Sequence, residues 1–360
     1  MAQQHLDPTD PRSRHAGPAP TGDALAGYLR TQATEFLRAL RLHRETGSGA
    51  NGSEASAEAA RALRRSARRI SASLHTFQPL LDTDWCEGMR PELAWVSGTL
   101  AMEHAYTSRL ERLLSALHRL SGSTAFPAQA TEPAAGPRAG AQSGPTAAQE
   151  RGNLTVGAAK AGALLDRQLT LARTRAHSTA LQALGSSRFH AVADKVAVLA
   201  SEVPLTTTAA ATDLAPHAAA AEERLRDAVA ALPLVTAGSP YNAAALTHGL
   251  SPDTVPHPQD APWHQVRLLL RLHRYAREAL SGPQGNAVVD LRLLSAGQAL
   301  NRHRDASEAA AAAAQAARTP RIAPATAYAL GVLHADQRHE VEAARFAFQQ
   351  SWQKEAVSTR

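Results

Sequence analysis

Apolar residues recur along this chain with the 3.6-residue period of an amphipathic α-helix, and no stretch alternates like a β-strand. The single Asn-Gly pair, Asn51-Gly52, lies in a polar Gly/Ser segment without flanking strand patterns, so it does not indicate a hairpin. The pattern predicts an all-α fold. The helices are expected over residues 23–43, 58–79, 85–120, 156–184, 187–200, 215–231, 263–280, 286–317 and 324–355.

The segments between these helices predict how the chain is divided. Residues 1–22 are polar and contain prolines without an apolar signal-peptide core, so we expect a disordered N-terminal tail. Residues 121–153 contain few large apolar side chains, which predicts a flexible linker. The linker lies within a first helical half over residues 23–184, and a second half follows over residues 185–357. Within the second half, residues 233–262 form a loop dense in Pro, Gly and Asn.

Two of the predicted helices contain a long stretch without any acidic residue. These stretches cover residues 59–81 and 261–277, about 200 residues apart. On a helical wheel each places basic side chains on one face and apolar side chains broadly opposite, although His273 falls on the apolar side. A helix of this kind is suited to pack in a core while facing a polyanion. The first carries Arg61, Arg64, Arg65, Arg68, Arg69 and His75, and the second carries His264, Arg267, Arg271, His273, Arg274 and Arg277.

The charge of the chain agrees with an anionic partner. The formal net charge is +6, and the 38 basic residues include only three lysines, Lys160, Lys195 and Lys354. Arginine presents a planar fork of donors that matches pairs of phosphate oxygens. A GC-rich genome accounts for a high arginine total, but it does not account for acid-free clustering on one helix face.

The remaining composition excludes several classes of protein. The single cysteine, Cys86, excludes an intrachain disulfide and fits a reducing compartment. No Cys/His spacing matches a zinc site, and no apolar run approaches the 18 residues of a membrane span. We therefore expect a cytoplasmic protein with no metal, no cofactor and no membrane partner.

The second acid-free stretch carries residues that resemble a family signature. His264, Arg267, Arg271 and Arg274-Tyr275 resemble the His-x-x-Arg…Lys/Arg…Arg-Tyr signature of the CHAD (conserved histidine α-helical domain) family, and residues 300–306 resemble its Leu-Gly-x-His-x-Asp-Ala segment. The resemblance runs from about residue 23 to residue 354. Further similar positions in the first half are Arg64, Arg68, Arg69, Phe77 and residues 26–32 and 92–100. Residues 187–189 resemble the start of the second half.

The resemblance implies both a fold and a function. It implies two related four-helix bundles with pseudo-twofold symmetry around a central basic cavity or channel. It also implies binding of inorganic polyphosphate and association with polyphosphate granules, with no catalytic residues. The residues that we expect to contact polyphosphate are Arg61, Arg64, Arg68, Arg69, His264, Arg267, Arg271, Arg274 and His303.

The chain departs from the family pattern mainly in its first half. Arg61 stands where the first signature histidine is expected, and Ser71 and His75 stand where arginines are expected. His104-Ala105 replaces an Arg-Asp pair, while in the second half Leu272 occupies a basic position. The second half is therefore expected to hold the better-formed site.

Three alternative functions remain open from the sequence. A phosphohydrolase could use His264 or His303 as a general acid or base, but neither Asp290 nor Asp305 forms a recognised metal-ligand spacing with His303. A nucleic-acid binder would be expected to interleave aromatic residues with its basic ones, and Tyr275 is almost the only one present, so no specific nucleic acid is expected. A degenerate helical scaffold without strong polyphosphate binding is the third alternative. The pattern does not indicate an oligomeric state.

Overall fold

The prediction of an all-α fold is confirmed by a computed structural model that describes residues 21–46, 53–122, 145–239, 250, 258–281 and 290–353. No β-strand occurs in these ranges; two isolated β-bridges join Thr21 to Asp213 and Leu81 to Leu205. Three short 3-10 helices accompany the α-helices. The α-helices are α1 (Gly22–Thr46), α2 (Ser53–Thr76), α3 (Thr83–Leu120), α4 (Pro145–Leu184), α5 (Ser187–Ser201), α6 (Ala215–Ala230), α7 (Leu234–Ala237), α8 (Ala261–Ser281), α9 (Leu291–Ala317) and α10 (Pro324–Gln353).

Side-chain caps explain where several helices begin. The carboxylate of Asp82 accepts a hydrogen bond from the backbone N–H of Trp85 at 2.7 Å, which satisfies a free donor in the first turn of α3. Ser186 caps α5 in the same way, and Asp290 caps α9. Short polar residues immediately before an apolar periodic segment therefore determine these three starts.

The segments predicted as connections are partly helical. Helix α4 begins at Pro145, so the linker prediction is wrong over residues 145–153, where a proline at the first helical position and the helix-forming residues 147–151 are compatible with a helix. The predicted loop at 233–262 contains the short helix α7, a 3-10 helix at Pro258–Asp260, and the start of α8. The tail at 1–20, the linker residues 123–144 and the helix residues 286–289 lie outside the described residues. Among the residues that the structure describes, no helix is both long enough and apolar enough to cross a bilayer.

In the described part of the chain, buried apolar side chains form three clusters. The first core joins α1, α2, the beginning of α3, α5 and the last two turns of α8. The second core joins the end of α3, α4, the end of α9 and the beginning of α10, and the third core joins α6, α7, the beginnings of α8 and α9, and the end of α10. Representative members are Phe36, Ile70 and Val196 in the first core, Leu117, Leu165 and Leu333 in the second, and Leu225, Trp263 and Phe348 in the third.

Several helices, α3 and α9 among them, belong to more than one core along their length. Helix α3 contributes Leu93 to the first core and Leu113 to the second, and α9 contributes Leu300 to the third core and Ala309 to the second. Helix α5 lies beyond the predicted boundary between residues 184 and 185, yet it packs in the first core with α1 and α2. That boundary and the pseudo-twofold pair of bundles stay predictions.

Helices α4 and α10 lie in close backbone contact at Gly157. A Cβ atom at this position would lie 2.1 Å from the carbonyl oxygen of Ala325, so the two backbones would have to separate. We expect Gly157→Ala to lower the free energy of unfolding by about 1–3 kcal/mol, measured by denaturant titration. In α10, Gly331 has open space around it, and Gly331→Ala should raise the same quantity by about 0.5–1 kcal/mol. Equal effects of the two substitutions would contradict the close helix contact.

Candidate anion-binding cleft

A cleft of about 420 Å³ lies where α2, α8 and α9 meet, with one residue of α3 at its edge. Among its lining residues Asp305 is the single carboxylate, and the non-arginine remainder is His104, Leu270, Tyr275, Gly297 and Asn301. The cleft therefore carries a large excess of positive charge. Eight arginines line it: Arg61, Arg64, Arg65, Arg68, Arg267, Arg271, Arg274 and Arg304.

The helix period explains why these arginines share one cleft. On α2 the opposite face carries Leu63, Ile70 and Leu74, all fully buried in the first core. On α8 Val266 is fully buried in the third core, which turns the arginine stripe of that helix toward α2. Residues spaced three, four and seven apart lie on one helix face, so each helix presents three of the predicted arginines to the cleft. Six of the nine predicted contact residues thus line it: Arg61, Arg64, Arg68, Arg267, Arg271 and Arg274.

Four of the cleft arginines, Arg64, Arg68, Arg267 and Arg271, are half-buried, and within the described ranges none has a carboxylate in ion-pair distance. We call them the central arginines. Burial, together with the charges of Arg64 and Arg271, lowers the pKa of Arg68 to about 9. Burial and the charges of Arg271 and Arg304 lower the pKa of Arg267 to about 10, and burial lowers the pKa values of Arg64 and Arg271 in the same direction. The folded protein thus holds four positive charges close together at a free-energy cost.

Several donors of the central arginines have no acceptor in the described part of the chain. Arg64 has such a donor at Nε, and Arg267 has two, at Nε and Nη1. Arg68 differs, because its Nε donates to Ser97 Oγ at 3.1 Å. Buried donors are normally satisfied, so unpaired guanidinium N–H groups that line an open cleft indicate a binding site for anion oxygens.

Three other cleft arginines, which we call the rim arginines, are paired with carboxylates. Glu58 accepts from Arg61 Nε at 2.8 Å and from Arg65 Nη2 at 3.0 Å. Arg304 donates through Nε to Asp305 Oδ1 at 2.9 Å. The acid-free stretch of the sequence begins at residue 59, so Glu58 lies immediately before it and one helical turn from Arg61. Apart from Arg274, which is exposed, the cleft arginines therefore divide into an unpaired centre and a paired rim.

Arg69 does not line the cleft. Its Nε donates to Glu278 Oε2 at 2.7 Å, and its guanidinium lies 5.4 Å from the ring centre of Tyr275. Tyr28 also donates to Glu278, at 3.4 Å. Arg69 therefore joins α2 to α8 and supports Tyr275, which does line the cleft.

The two predicted histidines occupy different environments. His303 is 1% exposed, stacks on Trp263 with 5.7 Å between ring centres, and does not line the cleft. Burial and the nearby Arg345 lower the pKa of His303 to about 3, so it is neutral at pH 7. The prediction that His303 contacts polyphosphate is corrected here, because a side chain this buried cannot reach a ligand in the cleft. His264 is half-buried, its ring lies 5.5 Å from that of His303, and burial lowers its pKa.

Next to His303 lies an ion cluster centred on Asp260, which is fully buried. Arg338 Nη1 donates to Asp260 Oδ2 at 2.8 Å, and Arg345 Nη2 donates to Asp260 Oδ1 at 2.7 Å. Ser307 also donates to Asp260, and Glu342 accepts from Arg345 Nη1 at 2.7 Å. Burial alone would raise the pKa of Asp260, but the two hydrogen-bonded partners Arg338 and Ser307 and the nearby charges hold it well below its usual range.

The ion cluster connects α10 to the start of α8. Asp260 immediately precedes α8, and Arg345 Nη2 also donates to the backbone oxygen of Gln259 at 3.0 Å. Arg345 Nε lies 3.3 Å from His303 Nε2. The first turn of α8, which carries His264 and leads to Arg267, is thus held by charged side chains of α10.

Sequence reasoning missed some of the residues that line the cleft. Arg304 lies one turn after Asn301 on α9 and belongs to the segment that resembles the family motif, which was the available signal. Arg65 belongs to the first acid-free stretch but was not predicted as a contact residue. His104 replaces an expected arginine and reaches the cleft edge from α3. Among the described residues, no group of three or more His, Cys, Asp or Glu side chains is arranged to hold a metal ion.

Comparison with known proteins identifies the class to which this arrangement belongs. The CHAD domain model matches residues 31–314, which is well over half of the chain, and the chain belongs to the CHAD domain family. The family prediction is thereby confirmed. Among solved structures, the chain is similar to PptA from Streptomyces chartreusis, with 76% sequence identity and a TM-score of 0.76. That match covers 93% of this chain and all of the PptA chain. No curated protein matches the chain.

Proposed function

We propose that this protein binds inorganic polyphosphate in the arginine-lined cleft and does so without catalysing a reaction. The observation that carries the proposal is the charge of the cleft, in which eight arginines face one carboxylate. Membership of the CHAD family supports the same ligand. In this proposal the central arginines anchor the chain of phosphates, and the protein associates with polyphosphate granules in the cytoplasm.

Polyphosphate matches the physical character of the cleft. The ligand has a regular row of charged oxygens and no apolar surface, so it is recognised through charge and paired hydrogen bonds. The central arginines offer donors that no described protein group accepts, and a bound anion would satisfy them. An anion would also relieve the repulsion that lowers the pKa values of Arg68 and Arg267. Binding therefore recovers part of the free energy that folding spends in bringing these charges together.

The alternative functions have less support in the geometry. For a phosphohydrolase, His303 is neutral and buried away from the cleft, and the single cleft carboxylate, Asp305, is paired with Arg304. For a single-strand nucleic-acid binder, Tyr275 is the single aromatic residue in the lining. For a scaffold, a cluster of unpaired arginines would lower stability without a compensating role.

A titration with long-chain polyphosphate, run beside duplex DNA of matched total charge, tests the proposal. At physiological salt we expect polyphosphate to bind at least about tenfold more tightly than DNA, because DNA can form only the non-specific electrostatic interaction with a basic surface. Four phosphates neutralised by the central arginines correspond to a slope of roughly −3 for log K against log salt, at about 0.7 per phosphate of a flexible strand. Equal, weak binding of both polymers would overturn the proposal in favour of a merely basic surface.

A further inference from the structure

One carboxylate is hydrogen-bonded to two of the arginines that line the cleft. Glu58 Oε2 accepts from Arg61 and Glu58 Oε1 accepts from Arg65, so each oxygen is bound to a different guanidinium. Both arginines line the cleft, whereas Glu58 itself does not. These hydrogen bonds from Arg61 and Arg65 lower the pKa of Glu58, so its carboxylate is ionised at neutral pH. Glu58 thus stands where a bound anion would place its own oxygens.

The exposure of this ion pair makes it replaceable. The side chains of Glu58 and Arg65 are each 53% exposed, and that of Arg61 is 39% exposed. Exposed Arg–Glu pairs are individually weak because water and salt screen them. Each Glu58 oxygen makes a single hydrogen bond to a different guanidinium, whereas a phosphate group can bind one guanidinium through two oxygens, so phosphate can exchange with Glu58.

The central arginines decide which anions can make this exchange. A polymer anchored at Arg64 and Arg68 presents its next phosphates to the neighbouring Arg61 and Arg65 at high effective concentration. A short anion held at the centre presents no further phosphate there and leaves Glu58 in place. Contact with the rim arginines Arg61 and Arg65 therefore depends on the length of the ligand, whereas contact with the central arginines depends on its charge.

We propose that Glu58 is an intramolecular competitor for the cleft, displaced from Arg61 and Arg65 only by a polyphosphate that is long enough to extend from the central arginines to the rim. The inference rests on the proposed function, and it adds a residue that sets ligand specificity. It predicts that the wild-type protein binds long-chain polyphosphate less tightly than a variant that lacks the Glu58 carboxylate.

The test substitutes Glu58→Gln and measures the affinity for long-chain polyphosphate at physiological salt. We expect a gain of about three- to fivefold, since two exposed pairs no longer compete with the ligand. The matched control is Glu35→Gln, which removes the same charge from another exposed i,i+3 pair, with Arg38 on α1. The control should leave the affinity within about 1.5-fold of the wild type. Equal gains in the two variants would show an effect of net charge and would overturn the inference.

A double-mutant cycle localises the effect. In an Arg61→Ala, Arg65→Ala background, Glu58→Gln should give no gain, because the two contacts at issue are absent. A gain that persists in this background contradicts the competition. The wild-type titration separates this failure from failure of the proposed function: if the wild type does not prefer polyphosphate to DNA, the function is wrong. If it does and Glu58→Gln changes nothing, the competitor role alone is wrong.

Discussion

Replacing Arg267 and Arg271 together with alanine is expected to weaken long-chain polyphosphate binding by at least about 100-fold, since hydrogen bonds to charged groups contribute about 1.5–3 kcal/mol each. Both residues are central arginines, and no carboxylate in the described part of the chain lies within ion-pair distance of either to share their donors. The salt dependence should flatten as well, by about 1.4 in slope for two lost phosphate contacts. Fluorescence or calorimetric titrations at several salt concentrations measure both quantities.

The matched control removes two arginines that are paired outside the cleft. Arg277 on α8 donates to Asp290 at 3.1 Å, and Arg226 on α6 is paired with Glu222. Arg226→Ala with Arg277→Ala makes the same change in net charge and should weaken binding only a few-fold. Similar losses in the two double variants would mean that overall charge, rather than the cleft, holds the ligand. An unchanged binding curve for Arg267→Ala with Arg271→Ala would falsify the site assignment.

The variant with Arg267→Ala and Arg271→Ala should lose binding without losing stability. Burial lowers the pKa values of Arg267 and Arg271 in the folded protein, which means that their charged forms are less favourable there than in the unfolded chain. Removing the two charges removes that cost. We therefore expect the ligand-free variant to unfold at a temperature equal to or above that of the wild type, with unchanged helicity by circular dichroism.

Asp260→Asn is expected to produce the largest loss of stability. It removes the negative charge that compensates Arg338 and Arg345, and breaking a buried ion pair in this way costs about 3–5 kcal/mol. In a chain of this size the unfolding temperature should fall by on the order of 10 °C. The reason is the burial of the cluster, since Asp260 is inaccessible to water, which would otherwise solvate the remaining charges.

An exposed carboxylate on the same helix as Arg338 provides the control. Glu340, whose side chain is 48% exposed, accepts from Arg112 at 3.5 Å, and Glu340→Gln should change the free energy of unfolding by no more than about 1 kcal/mol. Measurements at pH 7.5 leave the buried His303 neutral in both variants, because its pKa lies near 3. A loss of less than about 1 kcal/mol for Asp260→Asn would contradict a buried, charge-compensated cluster.

The sequence predicted the parts of the site that depend on one helix at a time. The period of the arginines on α2 and α8 places six of them on faces opposite to buried apolar residues, and they line the cleft as that period requires. The helical period of the sequence did not predict the position of the Arg69 side chain correctly. Its orientation depends on a hydrogen bond to Glu278, which lies 209 residues further along the chain. His303 has a polar side chain in a basic motif, and only the packing against Trp263 shows that it is buried.

The ion cluster around Asp260 could not be predicted for a similar reason. Asp260 lies in a stretch that reads as a loop, and its partners Arg338 and Arg345 are about 80 residues later on α10. Hydrophobic periodicity reports which face of a helix is buried, but it does not report which polar residues of distant helices meet there. The helical start at Pro145 was missed because the composition of the segment favours a loop as strongly as a helix.

The position of the cleft relative to the three cores has a consequence for how the molecule unfolds. His104 lies on α3 between its first-core and second-core segments, and Asn301 and Arg304 lie on α9 between its third-core and second-core segments. The arginines of α2 and α8 extend from the first and third cores into the same space. A polyanion bound there contacts helices anchored in all three cores. It would therefore act as a non-covalent crosslink, making local opening of any one core costly to the others and merging their unfolding into a single cooperative transition.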